Sequence, residues 1–208
     1  DVDIPVIAKI ERPEAIANID SIIKATDVIM VARGDLGVEV SPEKVPAMQK
    51  LIISKCNSAK VPVITATQML ESMISNPTPT RAEASDVANA ILDGTDCVML
   101  SAETSVGEYP EITVQMMDRI IEQTEEIKKT KSNYSDFSEN EPGNVLGIIC
   151  KTAVEISDTI SAKAIISITK KGRSPLLLSN LRPESHIIAV ADEENILRKS
   201  SILWGVDT

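Results

Sequence analysis

The sequence is organised around one segment, Val28-Ile-Met-Val-Ala-Arg-Gly-Asp-Leu-Gly-Val-Glu39. Its first five residues, Val28 to Ala32, are all apolar and predict a buried strand. The strand is then interrupted by Arg33-Gly-Asp-Leu-Gly37, where two glycines and a carboxylate predict a loop. In a chain that alternates strands and helices, functional groups are often presented directly after the carboxyl end of a strand. This segment and its counterparts are therefore the places where functional groups are expected.

Similar segments occur on both sides of this one. Apolar runs at Pro5–Ile10, Val61–Ala66 and Cys97–Leu100 predict three further strands, and each is followed by polar residues. Between the strands, apolar residues recur at helical spacing, and a long helix is predicted from about Pro110 to Lys128. Four βα repeats with continuous apolar strands are typical of a parallel sheet covered by helices.

The pattern changes after the fourth repeat. Residues 129–143 are rich in Lys, Ser, Asn, Asp and Glu and end in Pro-Gly, which predicts a linker. A smaller strand–helix pattern then restarts, with strands predicted at Ala164–Ile168 and Ile187–Val190. We therefore expect an α/β protein with one domain at 1–128, a linker at 129–143 and a smaller α/β domain at 144–208.

Composition excludes several classes of function. The 208 residues carry a formal net charge of −10, which argues against general nucleic-acid binding and against binding to anionic membranes. No apolar run is long enough to cross a membrane.

The three cysteines, Cys56, Cys97 and Cys150, lack metal-ligand spacing. They are expected to be reduced thiols in a reducing compartment. The one histidine, His186, is expected in a loop.

Polar residues at the strand ends form the first candidate site. Lys9 and Glu11 share one face of the first strand, Asp35 follows the second, and Thr67 follows the third. If these strands are neighbours in a parallel barrel, the side chains meet at one mouth together with Glu103. Carboxylates such as Glu11 and Asp35 suit Mg²⁺, and Lys9 suits a phosphoryl group. The backbone amides of Gly34 and Asp35 are candidates to receive a substrate carboxylate, because glycine allows a ligand to approach the main chain.

Each of these features also has a simpler interpretation. A Lys-x-Glu sequence at a strand end is often only an ion pair. Gly-Asp-x-Gly is often only a turn, and threonine in a strand often reflects β-propensity. Each motif is weak evidence by itself, and four motifs at matched positions are stronger.

A second candidate site is Ile168-Thr-Lys-Lys-Gly-Arg-Ser-Pro175, which runs from a strand into a helix. Its hydroxyls, backbone amides and positive charges favour a phosphate ligand. The residues concerned are Thr169, Lys170, Lys171, Gly172, Arg173 and Ser174. The alternative is a helix start in which Ser174 is the N-cap and Pro175 lies in the first turn.

Five motifs occur in a fixed order along the chain. They are Ala8-Lys-Ile-Glu11, Met30-Val-Ala-Arg-Gly-Asp-Leu-Gly37, Ala66-Thr-Gln-Met-Leu-Glu-Ser-Met73, Pro79-Thr-Arg-Ala-Glu83 and Leu100-Ser-Ala-Glu-Thr104. In this order they closely resemble the pyruvate kinase family, over nearly the whole chain. The resemblance implies a catalytic (β/α)₈ TIM-type barrel, of which four βα units are present, followed by a C-terminal α/β regulatory domain.

The resemblance also implies a reaction and its residues. Phosphoenolpyruvate and ADP give pyruvate and ATP, the last step of glycolysis, with Mg²⁺ (or Mn²⁺) and K⁺ as cofactors. Glu11 and Asp35 match the family's metal ligands, and Lys9 matches the lysine that stabilises the transferring phosphoryl group. Lys9, Gly34, Asp35 and Thr67 match its substrate contacts, and Thr67 lies where the family delivers a proton to the enolate through water. The K⁺ ligands of the family are not in this chain.

Further implications concern regulation and assembly. Residues 169–174 resemble the loop that binds an allosteric sugar phosphate, fructose 1,6-bisphosphate in many members. The segments around Arg33 and Arg81 resemble a subunit contact of the family, whose members form cytoplasmic homotetramers. Surface arginines in local ion pairs are the alternative for both residues.

Because only four of eight βα units are present, the isolated chain is expected to be inactive. Two other functions remain open from the residues. One is a Mg²⁺-dependent aldolase or lyase that acts on pyruvate or phosphoenolpyruvate, since such barrels also pair Glu and Asp at strand ends. The other is a non-catalytic module that binds a sugar-phosphate effector through residues 169–174.

Overall fold

The computed structural model describes residues 4–128 and 144–208. These residues belong to two compact units, one that contains residues 4–128 and one that contains residues 144–208. Residues 129–143, where that linker was predicted, lie outside the described residues. Within the two described ranges, no helix combines the length and hydrophobicity that crossing a membrane requires.

The first unit is a parallel sheet of four strands in chain order. Its strands are β1 (Ile7–Ile10), β2 (Val28–Ala32), β3 (Val63–Ala66) and β4 (Cys97–Met99). Its helices are α1 (Pro13–Ala17), α2 (Ile19–Ala25), α3 (Arg33–Glu39), α4 (Val45–Ala59), α5 (Arg81–Asp93), α6 (Ala102–Ser105) and α7 (Pro110–Lys128), with 3₁₀ turns at Pro42–Lys44 and Glu71–Ile74. The predicted alternation of strands and helices and the parallel sheet are confirmed.

The register of the sheet aligns the ends of the strands. Ile10 of β1 pairs with Val31 of β2, and Ala32 of β2 pairs with Ala66 of β3. Ala66 in turn pairs with Met99, the last residue of β4. The segments that follow the four strands therefore leave the sheet at the same edge.

Two aliphatic clusters hold this arrangement. The first lies between the sheet and helices α2 and α4, and each fully buried side chain in it contributes about 1.5–3 kcal/mol relative to exposure. Its members are Ile10, Ile19, Ile23, Ile29, Val31, Ile52, Ile53, Cys56 and Val63. The second cluster fixes the segment after β3 against α5 and α7, and consists of Met69, Leu70, Met73, Val87, Ala90 and Met117.

The segment Arg33–Gly37, predicted to be a loop, is instead the start of helix α3. Its glycines disfavour a helix by themselves, but contacts with the end of β3 compensate. The amide of Gly34 donates a hydrogen bond to Thr67 Oγ1 at 2.8 Å. A Cβ atom at position 34 would lie 3.3 Å from that oxygen, which is a tight contact, so glycine allows the helix to approach β3.

The second unit has a parallel sheet of three strands, β5 (Ala164–Ile168), β6 (His186–Val190) and β7 (Val206–Asp207). Its helices are α8 (Val145–Thr159), α9 (Arg173–Leu181) and α10 (Glu194–Ser200). The prediction that His186 lies in a loop is wrong, because it is the first residue of β6, although its side chain is exposed. Backbone pairing with Ala164 extends the strand to this residue.

Apolar side chains are exposed on both units. In the first unit β1 and β4 form the edges of the sheet, and both Ile7, the first residue of β1, and Val6 before it are exposed. In the second unit Ile166 and Ile168 of β5 are exposed on one face. Exposed strand edges and apolar faces of this kind are typical of surfaces that pack against further structure.

Helix α5 begins with a capping box that also anchors the segment after β3. The amide of Thr80 donates to Glu83 Oε2 at 2.7 Å, and the amide of Glu83 donates to Thr80 Oγ1 at 3.2 Å. The same carboxylate accepts hydrogen bonds from the amide and the hydroxyl of Ser72, each at 2.6 Å. Burial raises the pKa of Glu83, but the hydrogen bonds from Ser72 and Thr80 outweigh burial and leave this pKa below its usual value.

We expect Glu83→Gln to lower the free energy of unfolding by about 1–2 kcal/mol near pH 7, because the amide accepts fewer of these bonds. Since the folded-state pKa of Glu83 lies below its unfolded value, the stabilisation is complete above the unfolded pKa. It is lost as the pH falls through the folded pKa. Urea unfolding of the parent and the variant from about pH 7 to about pH 3 measures the difference.

The matched control is Glu122→Gln, which changes an exposed glutamate on α7 and is expected to alter stability by less than about 0.5 kcal/mol. A difference between parent and Glu83→Gln that stays constant over the whole pH range would contradict the role given to the carboxylate.

Candidate active site

Three charged side chains meet at the edge where β1 and β2 end. The Nζ atom of Lys9 lies 2.8 Å from Glu11 Oε2 and 2.6 Å from Asp35 Oδ2. Lys9 lies in β1 and Glu11 directly follows it, and Asp35 lies in the first turn of α3, directly after β2. All three side chains are 41–54% exposed, so the group faces solvent. The structure thus brings together the three charged residues that were predicted to share a mouth.

The electrostatics of this group favour the charged forms of Lys9 and Asp35. Hydrogen bonds to Asp35 and Glu11 raise the pKa of Lys9 above its usual value. The hydrogen bond from Lys9 lowers the pKa of Asp35. Two carboxylates and one ammonium leave a net negative charge at the strand ends, which favours a divalent cation.

The arrangement fits Mg²⁺ on the chemistry of its donors. One nitrogen contacts both carboxylates, so oxygens of Glu11 and Asp35 lie within reach of a single cation. Mg²⁺ commonly takes one or two protein carboxylates and completes its octahedron with water and substrate oxygens. Among the residues that the structure describes, no cluster of three or more His, Cys, Asp or Glu side chains is arranged for a metal. A metal held here therefore relies on two protein ligands.

Thr67 lies next to this group, at the end of β3. Its hydroxyl accepts a hydrogen bond from the Gly34 amide and donates one to the carbonyl of Ala66 at 2.7 Å. Because Gly34 precedes Asp35, this contact connects Thr67 with the charged group. The Gly34 amide, a candidate to receive a substrate carboxylate, is bonded to Thr67 in this conformation.

Glu103 differs from its prediction. Only 1% of it is exposed, and its carboxylate accepts hydrogen bonds from the amides of Leu70 and Ser101, at 3.2 and 2.7 Å. The prediction that it joins the open mouth is therefore wrong. Its role is structural, because it satisfies two amides in the segments that follow β3 and β4.

The burial of one arginine near the site was not predicted from the sequence. Arg33, considered above for a subunit contact or a surface ion pair, is only 7% exposed and lies within its own unit. Its guanidinium contacts Asp86 of α5 and the carbonyls of Thr67 and Gln68. The available signal was an arginine that directly follows an entirely apolar strand, where a charge needs internal partners.

The second candidate site is a loop between β5 and α9. Thr169 is buried, and its hydroxyl accepts a hydrogen bond from the Gly172 amide at 3.0 Å. Gly172, with φ of 72°, precedes the first residue of α9 and is its N-cap, so Ser174 is not the cap. The Ser174 hydroxyl accepts a hydrogen bond from Ser167 at 2.9 Å. Three cationic side chains, those of Lys170, Lys171 and Arg173, are at least partly exposed around this loop.

Comparison with known proteins gives two family matches. A family model described as "Pyruvate kinase, barrel domain" matches residues 1–114, and one described as "Pyruvate kinase, alpha/beta domain" matches residues 148–208.

Individual relatives agree with these matches. A pyruvate kinase of Geobacillus stearothermophilus is 47% identical over 205 residues, which are 99% of this chain and 35% of the relative. A pyruvate kinase of Staphylococcus aureus (strain MRSA252) is 49% identical over 208 residues, which are 98% of this chain and 35% of the relative. The chain thus spans about a third of the length of these curated relatives. A crystal structure of a pyruvate kinase from Cryptosporidium parvum has a TM-score of 0.92 and 47% identity, and the match covers 99% of this chain and 42% of that one.

We expect the double variant Glu11→Gln, Asp35→Asn to bind Mg²⁺ at least about tenfold more weakly than the parent, because it removes both anionic ligands. Isothermal titration of each protein with MgCl₂ measures the affinity. The control, Asp20→Asn with Glu122→Gln, removes the same number of exposed carboxylates away from the strand ends and is expected to bind as the parent does. Equal affinities for the parent and the Glu11, Asp35 variant would show that the metal assignment is wrong.

Proposed function

Because the chain belongs to the pyruvate kinase family, we propose that the whole protein transfers the phosphoryl group of phosphoenolpyruvate to ADP, giving pyruvate and ATP. The observation that carries this proposal is the contact of Lys9 with both Glu11 and Asp35, beside the Thr67 hydroxyl. These residues match the family's motifs position by position. Their geometry supplies a cation for the phosphoryl group and two acids for a metal.

We further propose how the chain is divided into domains. Residues 1–128 form the C-terminal half of a catalytic (β/α)₈ barrel, 129–143 form a linker, and 144–208 belong to an α/β regulatory domain. The two family matches support this division. The exposed apolar residues beside β1 support it as well, since a closed barrel has a further strand at that edge.

The proposed reaction has two parts. The bond between phosphorus and the enol oxygen of phosphoenolpyruvate breaks as a bond forms between phosphorus and a terminal phosphate oxygen of ADP. The enolate of pyruvate that remains then takes one proton at its methylene carbon. Lys9 neutralises the oxygens of the moving phosphoryl group, since positioning and charge are the main requirements of phosphoryl transfer. Thr67 holds the water through which this proton reaches the methylene carbon.

Glu11 and Asp35 would hold Mg²⁺ or Mn²⁺, which supplies positive charge to the phosphoryl and enolate oxygens when bound. Gly34 and Asp35 contribute substrate contacts at the start of α3, where the Gly34 amide also holds the Thr67 hydroxyl. Use of K⁺ by the whole protein is part of the proposal and rests on the family alone. The same basis supports a cytoplasmic homotetramer that acts in the last step of glycolysis.

We expect a full-length enzyme that contains this chain to phosphorylate ADP with phosphoenolpyruvate. The chain can be supplied in its natural context or in place of the matching segment of the Geobacillus stearothermophilus relative. Lys9→Met should lower kcat about 100- to 1,000-fold, because it removes the cation from the phosphoryl site. Lys24→Met, which changes an exposed lysine on α2, should leave kcat unchanged. A lactate dehydrogenase-coupled assay measures the rates.

Two results of this assay would contradict the proposal. One is an unchanged kcat for Lys9→Met in an active enzyme. The other is a full-length parent that forms no ATP but releases pyruvate by carbon–carbon cleavage of a hydroxy acid, which would identify an aldolase or lyase. The isolated 208-residue chain is expected to show no turnover in the same assay.

We also propose that the loop of residues 169–174 binds a sugar phosphate as an allosteric effector. Support comes from the charges of Lys170, Lys171 and Arg173 around a loop whose conformation is fixed by the bond between Thr169 and Gly172. The hydroxyls of Thr169 and Ser174 add acceptors and donors at the same place. A phosphate is the ligand that such a set of amides, hydroxyls and cations prefers.

Calorimetric titration with fructose 1,6-bisphosphate tests the effector site. We expect binding by the parent and at least about tenfold weaker binding by Lys171→Met with Arg173→Met, because two phosphate partners are lost. Lys199→Met, which changes a lysine of α10 outside the loop, is the control and should bind as the parent does. Equal binding by the parent and the double variant would exclude this loop as the effector site.

A further inference from the structure

The side chain of Arg33 joins three elements at the site. Its Nη1 atom lies 2.6 Å from Asp86 Oδ2 of α5, and 3.4 Å from Gln49 Oε1 of α4. Its Nη2 atom lies 2.7 Å from the carbonyl oxygen of Thr67 and 3.1 Å from that of Gln68. A guanidinium buried to this extent requires such partners, since an unpaired charge is strongly unfavourable inside a protein.

The two carbonyls that Arg33 contacts belong to residues with an unusual backbone. Thr67 has φ of 68° and Gln68 has φ of 53°, so both are in the left-handed region. This region is rarely occupied by a β-branched residue such as threonine, and it persists only where surrounding contacts impose it. We call these two residues the 67–68 turn. Arg33 supplies the contacts, because its Nε and Nη2 atoms both donate to the Thr67 carbonyl.

The same turn sets the direction of the Thr67 hydroxyl. The backbone conformation at Thr67 points Oγ1 at the Gly34 amide, while Arg33, the preceding residue, holds the carbonyl of Thr67. Two consecutive residues of α3 therefore hold Thr67 by its hydroxyl and its carbonyl. A hydroxyl held in this way has one orientation relative to Lys9 and Asp35 beside it.

We propose that Arg33 is a positioning residue for proton transfer, which acts by holding the 67–68 turn so that the Thr67 hydroxyl faces the reacting carbon. This inference rests on the proposed function. Arg33 lies behind Thr67 and contributes little to the binding of phosphoenolpyruvate, which depends on Lys9 and the metal ligands. Its loss is therefore expected to slow protonation of the enolate more than it weakens substrate binding.

The test uses the full-length enzyme that contains this chain and the variant Arg33→Lys. A lysine keeps the charge but cannot span Asp86 and both carbonyls in the planar geometry of a guanidinium. We expect kcat to fall about 100-fold, with a change in KM for phosphoenolpyruvate of less than about threefold. NMR measures exchange of the pyruvate methyl protons with D₂O, which reports proton transfer separately, and this exchange should fall by the same factor as kcat.

A double-mutant cycle distinguishes positioning from general damage. If Arg33 acts through Thr67, Arg33→Lys should add little to the loss of methyl exchange already caused by Thr67→Ala. The proposal would be overturned if the losses of methyl exchange in the two single variants multiplied in the double variant. It would also be overturned if KM rose while methyl exchange stayed intact. The control Arg198→Lys changes an exposed arginine paired with Glu194 and should leave both readouts unchanged.

Circular dichroism and thermal melting show whether Arg33→Lys is folded under the assay conditions. If it is not folded, the same measurements are made on Asp86→Asn, which keeps the guanidinium but removes its charged partner. A loss of methyl exchange smaller than the one expected for Arg33→Lys, with KM unchanged, would support the proposal. Unchanged methyl exchange would overturn it. A parent enzyme that forms no ATP refutes the proposed function itself, whereas an active parent with an unaffected Arg33→Lys refutes only the role of Arg33.

Discussion

Parallel pairing of β1, β2 and β3 is the constraint on which the candidate active site depends. Because Ile10 is level with Val31, and Ala32 with Ala66, the chain leaves all three strands at one edge. Residues that are far apart in the sequence thereby become neighbours in space. The aliphatic cluster behind the sheet holds this register, since a shift of one residue would turn its buried side chains away from the helices.

Helix α3 connects this edge with the rest of the unit, and its first three residues contribute in different ways. The buried Arg33 donates a hydrogen bond to the carbonyl of Thr67, which follows β3. Gly34 allows close approach to Thr67, and Asp35 forms an ion pair with Lys9 at the exposed edge. Glycine and aspartate are poor helix formers on propensity alone. The helix forms because its partners lie on neighbouring strands, and its sequence reflects the needs of the site.

These contacts explain how much could be predicted from the sequence. Strands and long helices follow from local periodicity, and the alternation of side chains along β1 was sufficient to predict that Lys9 and Glu11 point the same way. The helical state of Arg33–Gly37 and the burial of Arg33 and Glu103 depend on contacts with residues 33 to 53 positions away. Such contacts leave no periodic signal. The limits of the domains, including the linker, remain predictions.

The proposed chemistry requires that Glu11 and Asp35 bind one divalent ion at this edge, with Lys9 beside them. Anomalous diffraction from crystals of the full-length enzyme grown with Mn²⁺ and phosphoenolpyruvate tests this requirement most directly. We predict one strong anomalous peak coordinated by a carboxylate oxygen from each acid, with the Lys9 ammonium on a phosphoryl oxygen of the substrate. A peak bound by other residues, with Glu11 and Asp35 remaining paired to Lys9 alone, would contradict the proposed site.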